Sequence, residues 1–394
     1  MLCPACKKSM KKIGDIPFRD FDESIFNFIG ELYGCTFCGL VHVQSSFSDL
    51  DISNHYANNC LYHAMSGVGV GGMSDEDIAR YRLYKQLIER YIYEKGELVD
   101  IGCSRGGLLL YLQYSFQNKG IRLIGIDPDQ SSIQEIQNNN GLNAILGNAF
   151  CLPFPDGSRK VISYFHVLEH IKDIDLMLSE ASRILSENGI AIFEVPDAAG
   201  YQREGSVGSM FWMGMKEHIN HFTCESIYMA LKRHGLNIIT YHKSLLPMKN
   251  CNFYPSLIVI AKKMVVVDHL DNQYSLDKSI VINNYINEMA SFRLIIIKIS
   301  KFINKYDSIS FWGIGLEFFN LYAHIASLLI NKTLHFIDSN TSKQKLLIDN
   351  IQIISPSKYR VSGGLIICSY MSNDEIYKSA VDVGWKSENI YILK

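Results

Sequence analysis

The chain has 394 residues, 47% hydrophobic and 20% charged, which is the composition of a globular protein rather than a disordered one. That length exceeds one ordinary hydrophobic core and points to two or three domains. A formal charge of -2 gives no electrostatic reason to expect a nucleic-acid or acidic-membrane partner.

The opening residues Met1, Leu2, Cys3 and Pro4, followed by lysines, carry no signal-peptide pattern. The longest apolar run, near residues 294–297, is interrupted by Lys298 and Lys301 and falls short of the ~20 apolar residues that span a bilayer. A cytoplasmic protein without membrane insertion is the expectation. Four of the 10 cysteines form two close pairs, Cys3-x-x-Cys6 and Cys35-x-x-Cys38, with 28 residues between them. Paired spacing without a secretion signal suggests metal rather than disulfides. Each pair can bend into a knuckle that turns both thiolates toward one ion, and Gly39 permits the second turn. Four thiolates close a tetrahedral site with no position left for water, so residues 1–45 read as a zinc ribbon-like module holding a structural Zn2+. On spacing alone, iron remains the alternative ion.

Residues 46–95 read as a helical connector. A loop containing Gly67 to Gly72 precedes Ser74, an N-cap with Asp77 three residues later, and a helix runs through Tyr81, Tyr84, Leu87 and Ile88 to Tyr91. Its apolar stripe reads as core packing. From Glu97 short strands alternate with helices: strands over 98–101, 121–126, 161–164 and 190–195, helices over 108–116, 131–138 and 173–185. This rhythm predicts a doubly wound α/β domain over 96–263 with a largely parallel sheet. A helix over 224–234 and two strands, 236–241 and 256–261, supply an antiparallel edge. Residues 264–304 read as a helical linker. A second α/β pattern over 305–394 predicts a small Rossmann-like domain, with a strand at 308–312, the turn Gly313-Ile314-Gly315, a helix over 317–330, and strands at 334–337 and 365–369. Its glycine loop is degraded, since Phe318 stands where a third glycine would allow close helix packing, although Asp338 follows the second strand as a ribose ligand would.

The main chemical signal is Leu98-Val99-Asp100-Ile101-Gly102-Cys103-Ser104-Arg105-Gly106-Gly107, a strand, a glycine-rich turn and a helix start. Such a loop alone is a weak signal. Asp100 ends the strand before the glycines, where a carboxylate would repel a dinucleotide pyrophosphate but suit a cationic ligand. Asp127 ends the next strand, 27 positions on, and can accept from both hydroxyls of a ribose. Gly147-Asn148-Ala149 fits the third strand's end, with Asn148 as an acceptor for an adenine amino group. An NAD-binding domain is the alternative that Asp100 argues against.

These features resemble the class I SAM-dependent methyltransferases over residues 96 to about 262. The likeness continues through Phe165-His166-Val167-Leu168-Glu169-His170 and Arg183-Ile184-Leu185. It implies SAM as cofactor, bound by Asp100, Gly102, Ser104, Gly106, Asp127, Asn148, Ala149 and His166. Methyl transfer is an in-line displacement that relies on positioning and, for a hard acceptor, on a base. Two segments offer one: His166-x-x-x-His170, read as one helical face, and Lys216-Glu217-His218-Ile219-Asn220-His221-Phe222-Thr223, with Thr223 as N-cap of the following helix. The order of four-cysteine module, SAM domain and Rossmann-like domain is similar to that of the bacterial nucleotide-sugar C-methyltransferases. Glu217-His218 before Phe222-Thr223 looks like that family's Tyr-x-Glu-His segment, with Met215 in place of its Tyr. The resemblance implies a small-molecule substrate, a nucleotide-linked keto-deoxysugar, and a proton removed by His218 with Glu217 and His170 in support. It also implies that the C-terminal domain helps to hold the nucleotide. O- or N-methylation of a glycan or metabolite is the second reading, and a non-catalytic zinc-stabilised binding protein the third.

Overall fold

The structure, a computed structural model, describes residues 1–58, 71–92, 95–138, 142–204, 206, 208–248, 253–264, 280–370 and 372–393. The expected glycine loop at 67–70 and most of the interdomain linker before residue 280 lie outside the described residues. By its contacts the chain divides into two compact units. The first comprises Met1–Ile13, Tyr33–Val207 and His218–Ile282; the second comprises Gly14–Leu32, Gly208–Glu217 and Asn283–Lys394.

The elements in chain order begin with strands β1 (Lys11–Phe18), β2 (Phe28–Gly34) and β3 (Val41–Gln44), then helices α1 (Asp49–Asn58) and α2 (Asp75–Ile88). The α/β run follows: β4 (Gly96–Ile101), α3 (Gly107–Gln117), β5 (Ile121–Asp127), α4 (Gln130–Gln137), β6 (Asn143–Leu146), β7 (Arg159–Phe165), α5 (Ile174–Ile184) and β8 (Leu185–Pro196). After α6 (Ser209–Met213) come β9 (Asn220–His221), α7 (Cys224–Lys232), β10 (Leu236–Pro247) and β11 (Phe253–Lys263). Helix α8 (Ile280–Ile303) leads to β12 (Ser308–Trp312), α9 (Leu316–Ile325), β13 (Thr333–Ile337), β14 (Leu347–Ile348), β15 (Ile351–Ile354), β16 (Gly364–Ile367), α10 (Asn373–Asp382) and β17 (Ile390–Ile392). No helix among the described residues is long and apolar enough to cross a membrane.

In the first unit seven strands form one sheet of order β10-β11-β8-β7-β4-β5-β6. Strands β6 to β8 run parallel through β4 and β5, and the β10–β11 hairpin adds the antiparallel edge expected from the sequence. Successive residues of a strand point to opposite faces, and a sheet covered on both faces needs apolar side chains at both. The pairs Leu98/Val99, Val161/Ile162, Ile192/Phe193 and Ile258/Val259 obey this rule. The first member of each packs with α2, α3 and α4, the second with α5 and α7. The cysteine knuckles join the second of these cores, where Cys3, Cys35, Cys38 and Leu40 cluster with Ile227 and Leu231 of α7. Thr223 caps α7 through its hydroxyl, which accepts from the Ser226 N–H and also donates to the Cys38 carbonyl at 2.9 Å. Arg233 donates to the carbonyls of Pro4 and Ala5, each at 3.1 Å.

The chain leaves β4 toward β5 and β6 on one side, and returns to β7 and β8 on the other. The carboxyl ends of β4 and β7 therefore flank a topological switch point, the place where open α/β sheets bind ligands. The second unit holds a six-stranded sheet of order β14-β15-β13-β12-β16-β17 with α9 and α10.

Candidate functional site

The switch point opens into a cleft. Asp100, Gly102, Ser104, Asp127, Asn148, Ala149, His166 and His170 all line it. The turn after β4 explains why glycine is needed. Gly102 has φ +77°, and a Cβ there would lie 2.4 Å from the Val167 side chain. Gly106, at φ +74°, packs against Ile136. Ser104 takes φ +47° without being glycine, and its N–H donates to Asp127 Oδ2 at 2.7 Å. The other Asp127 oxygen accepts the Asp129 N–H at 2.9 Å. Asp127 is thus the strut that holds the turn in place. Arg105, uninterpretable from sequence, makes a fork to Glu135 with two contacts of 3.0 Å and ties the turn to α4.

Asp100 is buried at the end of β4 and accepts from the Ser163 hydroxyl at 2.8 Å. Burial, partly offset by Ser163 and reinforced by the neighbouring Asp127 charge, pushes its carboxyl up to about 7. Its folded-state value lies above the ordinary one, so the native state holds a proton that the unfolded chain has lost. Stability therefore falls as pH rises toward 7 and levels off above it. Asp100→Asn removes that penalty. Relative to wild type, the ligand-free variant is expected to gain about 2 kcal/mol between pH 5 and pH 8, measured as the change in the melting-temperature difference. A pH-independent difference would contradict this account.

Asn148 places its side-chain oxygen inward, accepting the N–H groups of Phe150 at 2.9 Å and Cys151 at 3.2 Å. The acceptor role expected toward adenine is therefore already used by the loop, and its amide nitrogen is the group that suits a ring-nitrogen acceptor. His166 and His170 do not share a helical face. His166 has φ +59°, and only Leu168–His170 form a short 3-10 turn. His166 instead sits between two buried carboxylates, with Nε2 at 3.0 Å from Glu194 and Nδ1 at 3.1 Å from Glu169. Burial works against its charge, but Glu194 and Glu169 prevail and push it up to about 9. The Tyr254 hydroxyl contacts Nδ1 at 2.9 Å.

Several lining residues were missed from sequence. Arg80 and Tyr84 of α2 reach the cleft, with Tyr84 donating to Glu194 and Arg80 lying 5.4 Å from the centre of the Tyr254 ring. Ile52, Ser53 and Tyr56 of α1 cover another side. That helix is pinned at Asp49, which accepts the N–H groups of Lys172 at 2.7 Å and Asp173 at 2.9 Å. The Tyr56 hydroxyl meets His170 Nδ1 at 3.0 Å.

The two segments expected to carry a base converge in part. His218 is buried with its ring 4.8 Å from that of His170. Glu169 is fully buried, 4.0 Å from His170 Nε2, and its carbonyl accepts the Ile219 N–H at 2.9 Å. Burial, aided by the neighbouring histidines, holds His218 well below the usual imidazole range. Glu217 falls in the second unit's segment, with its carboxylate 4.0 Å from Lys216 Nζ.

The four N-terminal cysteines bring their sulfurs together, Cys3 to Cys38 at 3.6 Å and Cys6 to Cys35 at 3.5 Å. A tetrahedral zinc–thiolate site with ~2.3 Å bonds sets its sulfurs ~3.8 Å apart, so the set fits the ion. Hydrogen bonds among the sulfurs pull the Cys35 thiol down and push Cys3 and Cys38 up.

In the second unit Gly313, Gly315, Glu317 and Asp338 line a cleft at the degraded loop. Asp338 accepts from the Ile314 N–H at 2.9 Å, Lys343 Nζ at 3.1 Å and the Asn340 N–H at 2.8 Å. Glu317, at the start of α9, accepts the Tyr370 N–H at 3.2 Å.

Residues 77–241 match the family described as "Methyltransferase domain". This stretch is a methyltransferase domain. Curated relatives of the methyltransferase domain include an uncharacterised protein of Methanocaldococcus jannaschii, 31% identical over 145 residues, 34% of this chain and 54% of that one. Ajmaline N-methyltransferase of Rauvolfia serpentina is 30% identical over 24% of this chain and 34% of its own. A probable S-adenosylmethionine-dependent methyltransferase of Mycolicibacterium smegmatis is 28% identical over 36% and 55% respectively. The chain thus spans about half the length of these relatives, or less. Among solved structures, a SAM-dependent methyltransferase of Methanosarcina mazei covers 46% of this chain and 98% of its own, at 19% identity and a TM-score of 0.38. Geranyl diphosphate C-methyltransferase of Streptomyces coelicolor covers 55% and 97%, at 14% identity and a TM-score of 0.39.

Proposed function

We propose that this protein is a SAM-dependent methyltransferase that methylates a nucleotide-linked keto-deoxysugar at the carbon beside its ketone. The observation that carries the donor assignment is the pair of carboxylates, Asp100 and Asp127, at the tips of adjacent strands beside the glycine turn. SAM supplies an electrophilic methyl group on a sulfonium. Asp127 takes the ribose hydroxyls, and Gly102, Ser104 and Gly106 leave room for the backbone to approach. Asn148 and Ala149 border the adenine, with the Asn148 amide nitrogen donating. Asp100 faces the ammonium group, and the positive charges of His166 and Arg80 suit the carboxylate on the same carbon. The four cysteines hold a structural zinc ion.

At the acceptor, His218 takes the proton from carbon. Support for this comes from its burial, from a ring nitrogen, Nδ1, with no hydrogen-bond partner among the described residues, and from its contact with His170, which borders the cleft. Glu169 serves as an orienting carboxylate. Bound SAM would supply the methyl group for the enolate carbon that His218 generates.

The test is incubation of the zinc-loaded chain with methyl-labelled SAM and a panel of nucleotide keto-sugars, with products read by mass and carbon NMR. A new carbon–carbon bond beside the ketone is expected. His218→Ala is expected to slow turnover about 1000-fold while leaving SAM affinity intact. Label on oxygen or nitrogen would replace this reading with methylation of a glycan or small metabolite.

A further inference from the structure

Glu169, His170 and His218 each offer one ligand atom, and those atoms lie within 4.8 Å of one another. Two of the side chains carry unmet polar atoms in the protein interior. Glu169 is fully buried and its Oε2 has no hydrogen-bond partner among the described residues; His218 is 8% exposed and its Nδ1 has none among them. A buried carboxylate oxygen and a buried imidazole nitrogen left unpaired are each costly, and a cation bound by these two side chains would offset that cost. His170 completes the set. Its Nδ1 meets the Tyr56 hydroxyl at 3.0 Å, which directs Nε2 toward Glu169. This is how an outer partner fixes the tautomer of a metal-binding histidine. The Ile219 N–H bond to the Glu169 carbonyl ties the His218 segment to the His170 turn.

We propose that Glu169, His170 and His218 form a second metal site, separate from the four cysteines, for a divalent transition ion such as Zn2+, Co2+ or Ni2+. Two imidazoles and one carboxylate favour these ions over Mg2+ or Ca2+, which prefer all-oxygen shells. Because His170 borders the cleft, the ion enters from the substrate side. The consequence for catalysis rests on the proposed function: a His218 lone pair committed to the metal is withheld from the proton, so the loaded site is the resting form of the enzyme.

The experiment titrates Co2+ into the full chain with zinc already at the cysteines. One equivalent of cobalt is expected, with visible d–d bands, no thiolate-to-cobalt charge-transfer band, and imidazole nitrogen couplings by pulsed electron paramagnetic resonance. Glu169→Gln and His218→Gln are each expected to weaken uptake at least tenfold. Absence of cobalt uptake, a thiolate band, or wild-type protein lacking imidazole couplings would overturn the site, and the couplings decide the matter even where a variant does not fold. Bound cobalt is expected to suppress methyl transfer, with recovery on adding a weak chelator. Since the spectra need no acceptor, failure of the metal site and failure of the sugar assignment are read separately.

Discussion

Asp127→Ala is expected to weaken SAM binding about 100-fold, or roughly 2.7 kcal/mol, the scale of one or two hydrogen bonds to a charged group. Two losses add in this variant. The ribose hydroxyls lose their acceptor, and Ser104, held at φ +47° by its bond to Asp127, loses the partner that keeps it there. The turn between β4 and α3 then relaxes away from the donor. Calorimetric titration of wild type and variant with SAM checks this, with circular dichroism to confirm that the sheet survives. Affinity within threefold of wild type would mean that the donor lies elsewhere. Ser104→Ala, which keeps the N–H, should change affinity little, separating the backbone contribution from the side chain.

Removal of the proposed zinc ion is expected to destabilise the methyltransferase domain, not only the N-terminus. The cysteine knuckles share a core with α7 and with the sheet strands behind it, and the Cys38 carbonyl takes the Thr223 hydroxyl. Stripping the ion leaves four thiols in a buried pocket and frees both knuckles. A loss of ~5 kcal/mol corresponds to a melting temperature lower by about 10–20 °C for a unit of this size. Cys35→Ser should show the same loss without chelator. Differential scanning calorimetry with a probe of β-sheet unfolding checks it. If the sheet melts at an unchanged temperature while the metal is gone, the cysteines are not structural.

Much of the cleft was legible in the sequence because it follows from short-range rules. Glycines at positive φ, an acid at a strand tip and a second acid one βα unit later are local signals, and Gly102, Asp100 and Asp127 stand where those signals place them. What escaped depends on distant contacts. Arg80 lies on the face of α2 that carries Asp77, Tyr81, Tyr84 and Leu87. Its charge within an apolar stripe was the available hint that this face meets something polar, but its neighbour Glu194 is far away in sequence. Glu169 was visible beside His170, yet its meeting with His218 depends on β8 and the loop after it. His166 and His170 were placed on one helix by their spacing; the positive φ at His166 and the short turn after it broke that periodicity. The second unit's glycine loop was readable as degraded, but only the structure places Lys343 and backbone N–H groups on Asp338.

The most direct test of the central claim is a crystal structure of the zinc-loaded chain grown with S-adenosylhomocysteine. The account predicts both ribose hydroxyls within hydrogen-bond distance of the Asp127 carboxylate, adenine beside Asn148 and Ala149, and the thioether sulfur facing His170. Nucleoside density absent from this cleft at saturating ligand, or seated away from Asp127, would contradict it.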